Sequence, residues 1–193
     1  MEQHYFEEQT FEKIDYTATP LKKGEYEYCV FRNCDLSRAD LSGIRFSDCE
    51  FSGCNLSLAV FNQTGLQGVT FKDCKMLGLH FERCNEFGLS VSFQNCSLNH
   101  SSFFGVKIKK TVFKNCQLQE TDFTDSDLSG STIENCDFLQ ATFLNTNLEK
   151  ADLRSSINYA IDPELNKIKK AYFSLYGVPG LLAKYDIRID MKG

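Results

Sequence analysis

Large apolar residues recur in this chain at every fifth position, a step that few folds can accept. One run holds Phe31, Leu36, Leu41, Phe46, Phe51, Leu56, Phe61, Leu66, Phe71, Met76 and Phe81. A second holds Phe93, Leu98, Phe103, Ile108, Phe113, Leu118, Phe123, Leu128, Ile133, Phe138, Phe143, Leu148 and Leu153. The runs are separated by an interval of 12 where two steps would take 10, with Phe87 midway. Counting Phe87, these 25 positions hold 13 Phe, 9 Leu, 2 Ile and 1 Met, and none is charged. A step of five matches neither the 3.6 of a helix nor the 2.0 of a strand. It calls for a short extended side and a turn, repeated, with one large side chain per side pointing inward.

The residue two before each large one is restricted as well. It is Cys, Ala, Ser or Thr at most sites, and otherwise apolar, as at Ile44, Val69, Leu79, Val91 and Val106. A small inward partner beside each Phe or Leu is the expected role. A longer period fixes the number of sides. Phe31 to Cys34, Phe51 to Cys54, Phe71 to Cys74, Phe93 to Cys96, Phe113 to Cys116 and Ile133 to Cys136 repeat every 20 residues, with one interval of 22. Twenty is four sides of five, so a square solenoid follows, its equivalent residues stacked about 4.8 Å apart. The column Asn33, Gly53, Asp73, Asn95, Asn115 and Asn135 suits a corner, because these residues tolerate turn geometry. The interval of 22 places a bulge, rather than a projecting loop, at 84–92.

Ala39-Asp40-Leu41 and Ala151-Asp152-Leu153 fit the form A(D/N)LXX, and Cys34-Asp35-Leu36 and Cys54-Asn55-Leu56 are variants of it. Over residues 26–157 the chain thereby resembles the pentapeptide-repeat proteins. The resemblance implies an all-β solenoid, a right-handed quadrilateral β-helix, here of six or more coils. Residues 1–25 keep the phase at Phe6, Phe11, Tyr16 and Leu21 but lack the small partners, which suggests an N-terminal cap or an irregular first coil. After Ser156 the pattern stops. Asp162-Pro163-Glu164-Leu165 reads as a helix start, with Asp as N-cap and Pro at the first helical position. Leu165, Ile168 and Tyr172 would share one face of that helix. A short C-terminal α-helical cap is expected over 158–193, with a second short helix at Leu181–Tyr185 and strand-like alternation at Ile187 and Ile189.

Composition argues against chemistry. Nine cysteines stand in a chain with an acidic N-terminus and no apolar signal segment, which suggests a cytoplasmic, reducing location where disulfides are disfavoured. All nine sit in the small inward position, and spacings such as Cys29 to Cys34 do not match the paired ligands of a zinc site. They read as buried packing residues, with no metal and no cofactor. His4, His80 and His100 are scattered, and neither a nucleophile–base arrangement nor a phosphate-binding glycine loop is present. The chain reads as non-catalytic.

Charge remains. The net value of −5 argues against direct nucleic-acid binding, and no apolar run is long enough to span a membrane. From Leu118 to Leu153, Glu120, Asp122, Asp125, Asp127, Glu134, Asp137, Glu149 and Asp152 face a single base, Lys150, and form a candidate partner-binding belt. Such a belt is either a solvated surface or an electronegative rod able to occupy a DNA-binding saddle. Within the pentapeptide-repeat family the chain resembles the Qnr and MfpA-like quinolone-resistance branch. That resemblance implies a DNA mimic that binds type II topoisomerase, DNA gyrase or topoisomerase IV, and protects it from quinolones. It also implies a homodimer through the C-terminal tail, with Leu181, Leu182, Tyr185, Ile187 and Ile189 as candidate interface. A structural scaffold or interaction module with an unrelated protein partner is the other reading.

Overall fold

The computed structural model describes residues 4–190, so the outermost ends of the expected terminal segments, 1–3 and 191–193, lie outside it. Eleven short strands follow the chain: β1 (His4–Glu7), β2 (Thr10–Glu12), β3 (Gly24–Glu27), β4 (Val30–Arg32), β5 (Arg45–Ser47), β6 (Glu50–Ser52), β7 (Gly65–Gln67), β8 (Val69–Lys72), β9 (Val91–Gln94), β10 (Val112–Lys114) and β11 (Thr132–Glu134). They form two parallel sheets, β1-β3-β5-β7 on the first side and β2-β4-β6-β8-β9-β10-β11 on the second. Single parallel bridges make the other two sides. Asp15, Asp35, Asn55, Lys75, Ser97, Gln117, Asp137 and Ile157 are successive rungs of the third side. Asp40 and Val60, then His80, Ser102, Asp122 and Thr142, are rungs of the fourth. Phe31 pairs with Phe51 and Phe51 with Phe71, one full coil of 20 residues apart, while Phe71 pairs with Phe93 across the longer interval. The molecule is a right-handed quadrilateral β-helix.

The corners follow from backbone geometry. Asn33, Gly53, Asp73, Asn95, Asn115 and Asn135 all have φ between 52° and 65°, the left-handed region where Gly and Asn cost least. Their side chains also stack. Asn95 donates to Asp73 at 2.9 Å, Asn115 to Asn95 at 2.9 Å and Asn135 to Asn115 at 3.1 Å. The residue before each central one has its own task. Asp35, Asp40, Asn55, Asp122, Asp127, Asp137, Asn147 and Asp152 each accept a hydrogen bond from the backbone N–H two residues on, which holds the start of the turn.

Inside, the central residues stack ring on ring. On the second side Phe11, Phe31, Phe51, Phe71, Phe93 and Phe113 lie 4.6 to 5.5 Å apart, nearly parallel. On the fourth side Phe81, Phe103, Phe123 and Phe143 do the same at 4.4 to 5.2 Å. Phe93 meets Phe81 and Phe103 edge to face across the core. Phe87 is the exception and corrects the sequence reading: it is 89% exposed. The extra residues let the chain rejoin the ladder only at Ser90, whose N–H donates to the Leu66 carbonyl, and Leu89 packs against the core instead.

The nine cysteines are free and buried, and they do more than fill space. Most turns close with a bond from the N–H three residues on, as from Ala39 to Leu36. At the corner after the second side, the Phe carbonyls are met by thiols of the next coil. Cys54 donates to Phe31, Cys74 to Phe51, Cys96 to Phe71, Cys116 to Phe93 and Cys136 to Phe113, at 3.3 to 3.7 Å. Ser156 continues the column with a hydroxyl on Ile133 at 2.9 Å, and Thr64 and Thr146 do the same elsewhere. The small inward position is therefore a donor position where it is not Ala or apolar. Burial pushes the Cys49 and Cys84 thiols up to about 12, so they stay protonated and weakly nucleophilic. With a thiol reagent such as DTNB at pH 8, we expect the folded protein to react at least tenfold more slowly than the guanidinium-unfolded chain. Fast labelling of several thiols in the native state would contradict this packing.

The C-terminal segment departs from expectation. No α-helix begins at Pro163. Asp162 accepts from the Glu164 N–H at 2.9 Å and its carbonyl from Leu165 at 3.2 Å, which makes one turn. The ladder then resumes, with Asn147 bridging Lys167 and Asp152 bridging Tyr172. Asn166 takes the donor position, its amide on the Phe143 carbonyl at 3.1 Å. A short helix carries a nucleation cost, and bonds to a preformed coil outweigh it. Ile168 packs inward while Leu165 and Tyr172 are exposed, so the three do not share a helical face. The cap that does close the rod is 3-10 helix, at Leu175–Leu181 and Ala183–Tyr185. It seats on Tyr159 so closely that a Cβ on Gly180 would lie 2.2 Å from the Tyr159 carbonyl oxygen. Ile187 and Ile189 form no strand, since the last coil offers them no ladder partner.

Candidate functional site

The eight belt carboxylates lie on all four sides of the rod, as the period of five requires. Three of them are matched by a Lys or Arg of a neighbouring coil or turn. Asp127 on the first side lies 3.3 Å from Lys109, Glu134 on the second 3.5 Å from Lys114, and Asp152 2.7 Å from Arg154. The hydrogen bond from Arg154 holds the Asp152 carboxyl below the ordinary carboxylate range. Burial pushes Asp127 up, but Ser129 and Lys109 more than offset it. Glu149 shares the first side with Lys150.

The other four form a wall on the third and fourth sides. Glu120 stands at the corner between them, with φ 54°, 3.3 Å from His100. Asp122 is the next rung, and Asp125, with φ 58°, holds the far corner of the fourth side. Asp137 lies one coil on, bonded by Gln119 and Asn158 at 2.7 Å each. Those two bonds outweigh the burial that pushes its carboxyl up, and hold it below the usual range. No Lys or Arg occurs between Lys114 and Lys150, and among the described residues none of these four carboxylates pairs with a Lys or Arg; the one base against them is His100, beside Glu120.

Exposed apolar side chains are set among these acids, and the sequence reading passed over them. Phe104, Leu139, Leu144, Ile157 and Leu165 are all at least 40% exposed. A signal existed: Phe103-Phe104, Phe138-Leu139 and Phe143-Leu144 are adjacent apolar pairs, and only the first of each can point inward. Acids interleaved with scattered apolar side chains make a surface for a protein rather than for a small molecule.

The C-terminal end is the second apolar surface. Leu175 and Tyr176 are 78% and 82% exposed, and Tyr185, Ile187 and Ile189 are exposed beside them. Leu181 packs against the last coil and Leu182 is half-buried, so these two support the end surface from beneath. Lys184 is clamped by Asp162 at 2.9 Å and Glu164 at 2.6 Å, which ties the 3-10 cap to the preceding turn. Among the described residues no group of His, Cys, Asp or Glu is arranged to hold a metal ion, and no helix is long and apolar enough to cross a membrane.

Comparison with known proteins agrees with this geometry. The profile of the pentapeptide repeat region matches residues 24–103 and 79–153. No curated protein matches the chain at the sequence level. Among solved structures, a trypsin-treated variant of QnrB1, a plasmid-mediated fluoroquinolone resistance protein, is similar with a TM-score of 0.65 at 21% identity, over 97% of this chain and 92% of that one. Full-length QnrB1 gives 0.55 at 21% identity, over 95% and 100%. HetL, a pentapeptide repeat protein of a Nostoc cyanobacterium involved in heterocyst differentiation regulation, gives 0.50 at 16% identity, over 88% and 83%.

Proposed function

Because this chain belongs to the pentapeptide-repeat family, we propose that it is a non-catalytic protein-binding rod that docks through its acidic wall on the DNA-binding saddle of a type II topoisomerase. The observation that carries this reading is the wall itself. Glu120, Asp122, Asp125 and Asp137 cover two adjoining sides, with apolar anchors between them and no base from Lys114 to Lys150. Carboxylates grouped on two adjoining sides of two successive coils offer a basic saddle part of the charge it expects from duplex DNA, and complementary charge supplies steering and register. DNA gyrase and topoisomerase IV are the candidate partners, quinolone protection the expected consequence, and the cytoplasm the place of action. The overall likeness to a fluoroquinolone resistance protein supports the choice of target. The exposed apolar end at Leu175, Tyr176, Tyr185, Ile187 and Ile189 is the surface through which two copies would join tail to tail.

A second reading has its own observation. Lys109, Lys114 and Arg154 pair with three of the four belt acids on the first two sides, which a uniform mimic of duplex charge would leave bare. An interaction module with an unrelated basic partner needs only the wall. A supercoiling assay with purified gyrase and ciprofloxacin separates the two. Restored supercoiling in the presence of this protein is the expected result. Neither rescue nor inhibition across a wide concentration range would leave the module reading standing alone.

A further inference from the structure

The outward charge of the first side changes sign along the rod. Nine rungs compose this side, through Tyr5, Glu25, Arg45, Gly65, Asn85, Lys107, Asp127, Asn147 and Lys167. The first three carry Glu7, Glu8, Glu25, Glu27 and Asp48 against one base, Arg45. The last four carry seven lysines against Asp127 and Glu149, with Lys107, Lys109 and Lys110 on the sixth rung and Lys167, Lys169 and Lys170 on the ninth. All seven lysines are exposed. The fourth rung, Gly65 to Gly68, is uncharged. The fifth, midway along, is the bulge, and from it projects Phe87, 89% exposed. Beside Phe87 opens a surface hollow of about 430 Å³, walled by Leu89, Phe104 and Val106, with Glu86 and Lys107 at its rim.

We propose that this side is a self-complementary face on which two copies pair antiparallel, about a two-fold axis through the bulge. That operation sets the first rung against the ninth, so Glu7 and Glu8 meet Lys167, Lys169 and Lys170. It sets the third rung against the seventh, where Arg45 and Asp127 each already hold a partner in their own chain, Glu25 and Lys109, and it sets the uncharged fourth rung against the lysines of the sixth. The second and eighth rungs, where Glu25 and Glu27 face Glu149 and Lys150, contribute least. At the centre each Phe87 enters the hollow of the other copy, and Glu86 approaches the partner's Lys107. An aromatic anchor at the middle of a charged rim is the arrangement that concentrates binding energy. A two-fold contact must use the same patch twice, and here one patch supplies both signs. A polyanion laid along the face would be attracted by one half and repelled by the other, which favours a second copy over nucleic acid. A face one pentapeptide wide is small, so the pairing is weak and sensitive to salt.

The test is sedimentation velocity on the full chain carrying Leu175→Ser and Tyr176→Ser, which weakens the apolar end surface by its two most exposed side chains. At 50 mM NaCl we expect a monomer–dimer equilibrium, and at 500 mM NaCl a monomer. Phe87→Ser should weaken the dimer at least tenfold. A Glu7→Lys, Glu8→Lys chain and a Lys169→Glu, Lys170→Glu chain should each be monomeric alone and pair when mixed. A monomer at both salt concentrations overturns the proposal. So does a dimer indifferent to salt and to Phe87→Ser, which would point to the tail, or a failure of the two reversed chains to pair. Binding of a 20-base-pair DNA duplex by the lysine half of a chain that stays monomeric would overturn it in favour of a polyanion site. The contact is centred on the first side and shares only Phe104 with the wall of the third and fourth, and none of the variants named here alters Phe104 or a wall carboxylate, so loss of pairing leaves the topoisomerase reading to its own assay.

Discussion

Phe93→Ala should destabilise the rod by about 3–5 kcal/mol and lower its melting temperature by on the order of 10 °C. Phe93 is fully buried, stacks on Phe71 at 5.5 Å and Phe113 at 5.0 Å, and meets Phe81 and Phe103 edge to face. Truncation removes the ring's transfer free energy and leaves a cavity that flanking coils cannot close, because backbone ladders on both sides hold their spacing. Geometry adds a second consequence. Each coil touches only its neighbours, so stability is a chain of nearest-neighbour terms. Phe93 lies directly after the bulge, where the first-side sheet has already ended at β7. The weakened joint should split unfolding into two calorimetric transitions where the unaltered protein shows one. Phe104→Ala is the matched control, a Phe of the fourth side that is 49% exposed. Its cost should stay below about 1 kcal/mol. If the two variants melt alike, the ring ladder is not what holds the coils together.

The architecture was legible because every coil repeats one physical demand. A side of five residues has room for one large inward side chain, one small one, and a corner that must turn left-handed. Phe, Cys and Asn each answer one of these, so the columns at 31, 34 and 33 are visible without coordinates. Where the repeat loosens, the same pattern misleads. Phe87 has the right residue type and spacing for an inward position, yet two inserted residues moved the point at which the chain rejoins the ladder, and Leu89 went in instead. Asp162-Pro163 carries sound local helix signals, but a preformed coil one step away offers backbone partners to Lys167 and Tyr172. Tertiary bonds outweighed local preference there. The donor role of cysteine was hidden for another reason: it depends on which corners lack their own turn bond, and nothing in composition reveals that.

The candidate surface was half legible. Counting acids between Leu118 and Leu153 found the carboxylates but not their partners. Part of the pairing could have been read, since Lys114 and Glu134 stand 20 residues apart, as do His100 and Glu120, and such residues stack. Lys109 and Asp127, 18 apart, meet only because long side chains lean across the coil. The pairing sorts the belt into three carboxylates matched by Lys or Arg and five that are not, and it makes Asp127 a poor choice for probing partner binding. Asp122 is a poor choice for another reason, since its carboxylate holds the Thr124 N–H at 2.9 Å and its loss would disturb a turn.

Glu120→Lys with Asp125→Lys is the change that should most weaken binding to the proposed topoisomerase saddle while leaving the rod intact. Both residues occupy left-handed corners, where Lys110, Lys150 and Lys170 already stand in the same fold, so lysine is tolerated there. Neither carboxylate holds a backbone group among the bonds described. Each reversal replaces an attraction to a basic saddle by a repulsion, worth roughly 1–2 kcal/mol apiece at a partly desolvated rim, so the pair should cut affinity at least thirtyfold. The loss should fall mainly on the association rate and shrink as NaCl is raised, because the wall acts through steering. Melting temperature should change by less than 3 °C, since both sites are solvent-facing. Asp122→Asn, which keeps the acceptor for Thr124 and removes only charge, should give a smaller loss in the same direction. Surface plasmon resonance against immobilised gyrase would measure affinity and association rate for both variants, and thermal melting would check the fold. Unchanged affinity in the double reversal, with the fold intact, would mean that the acids of the third and fourth sides serve solubility and that Phe104, Leu139 and Leu144 belong to some other contact.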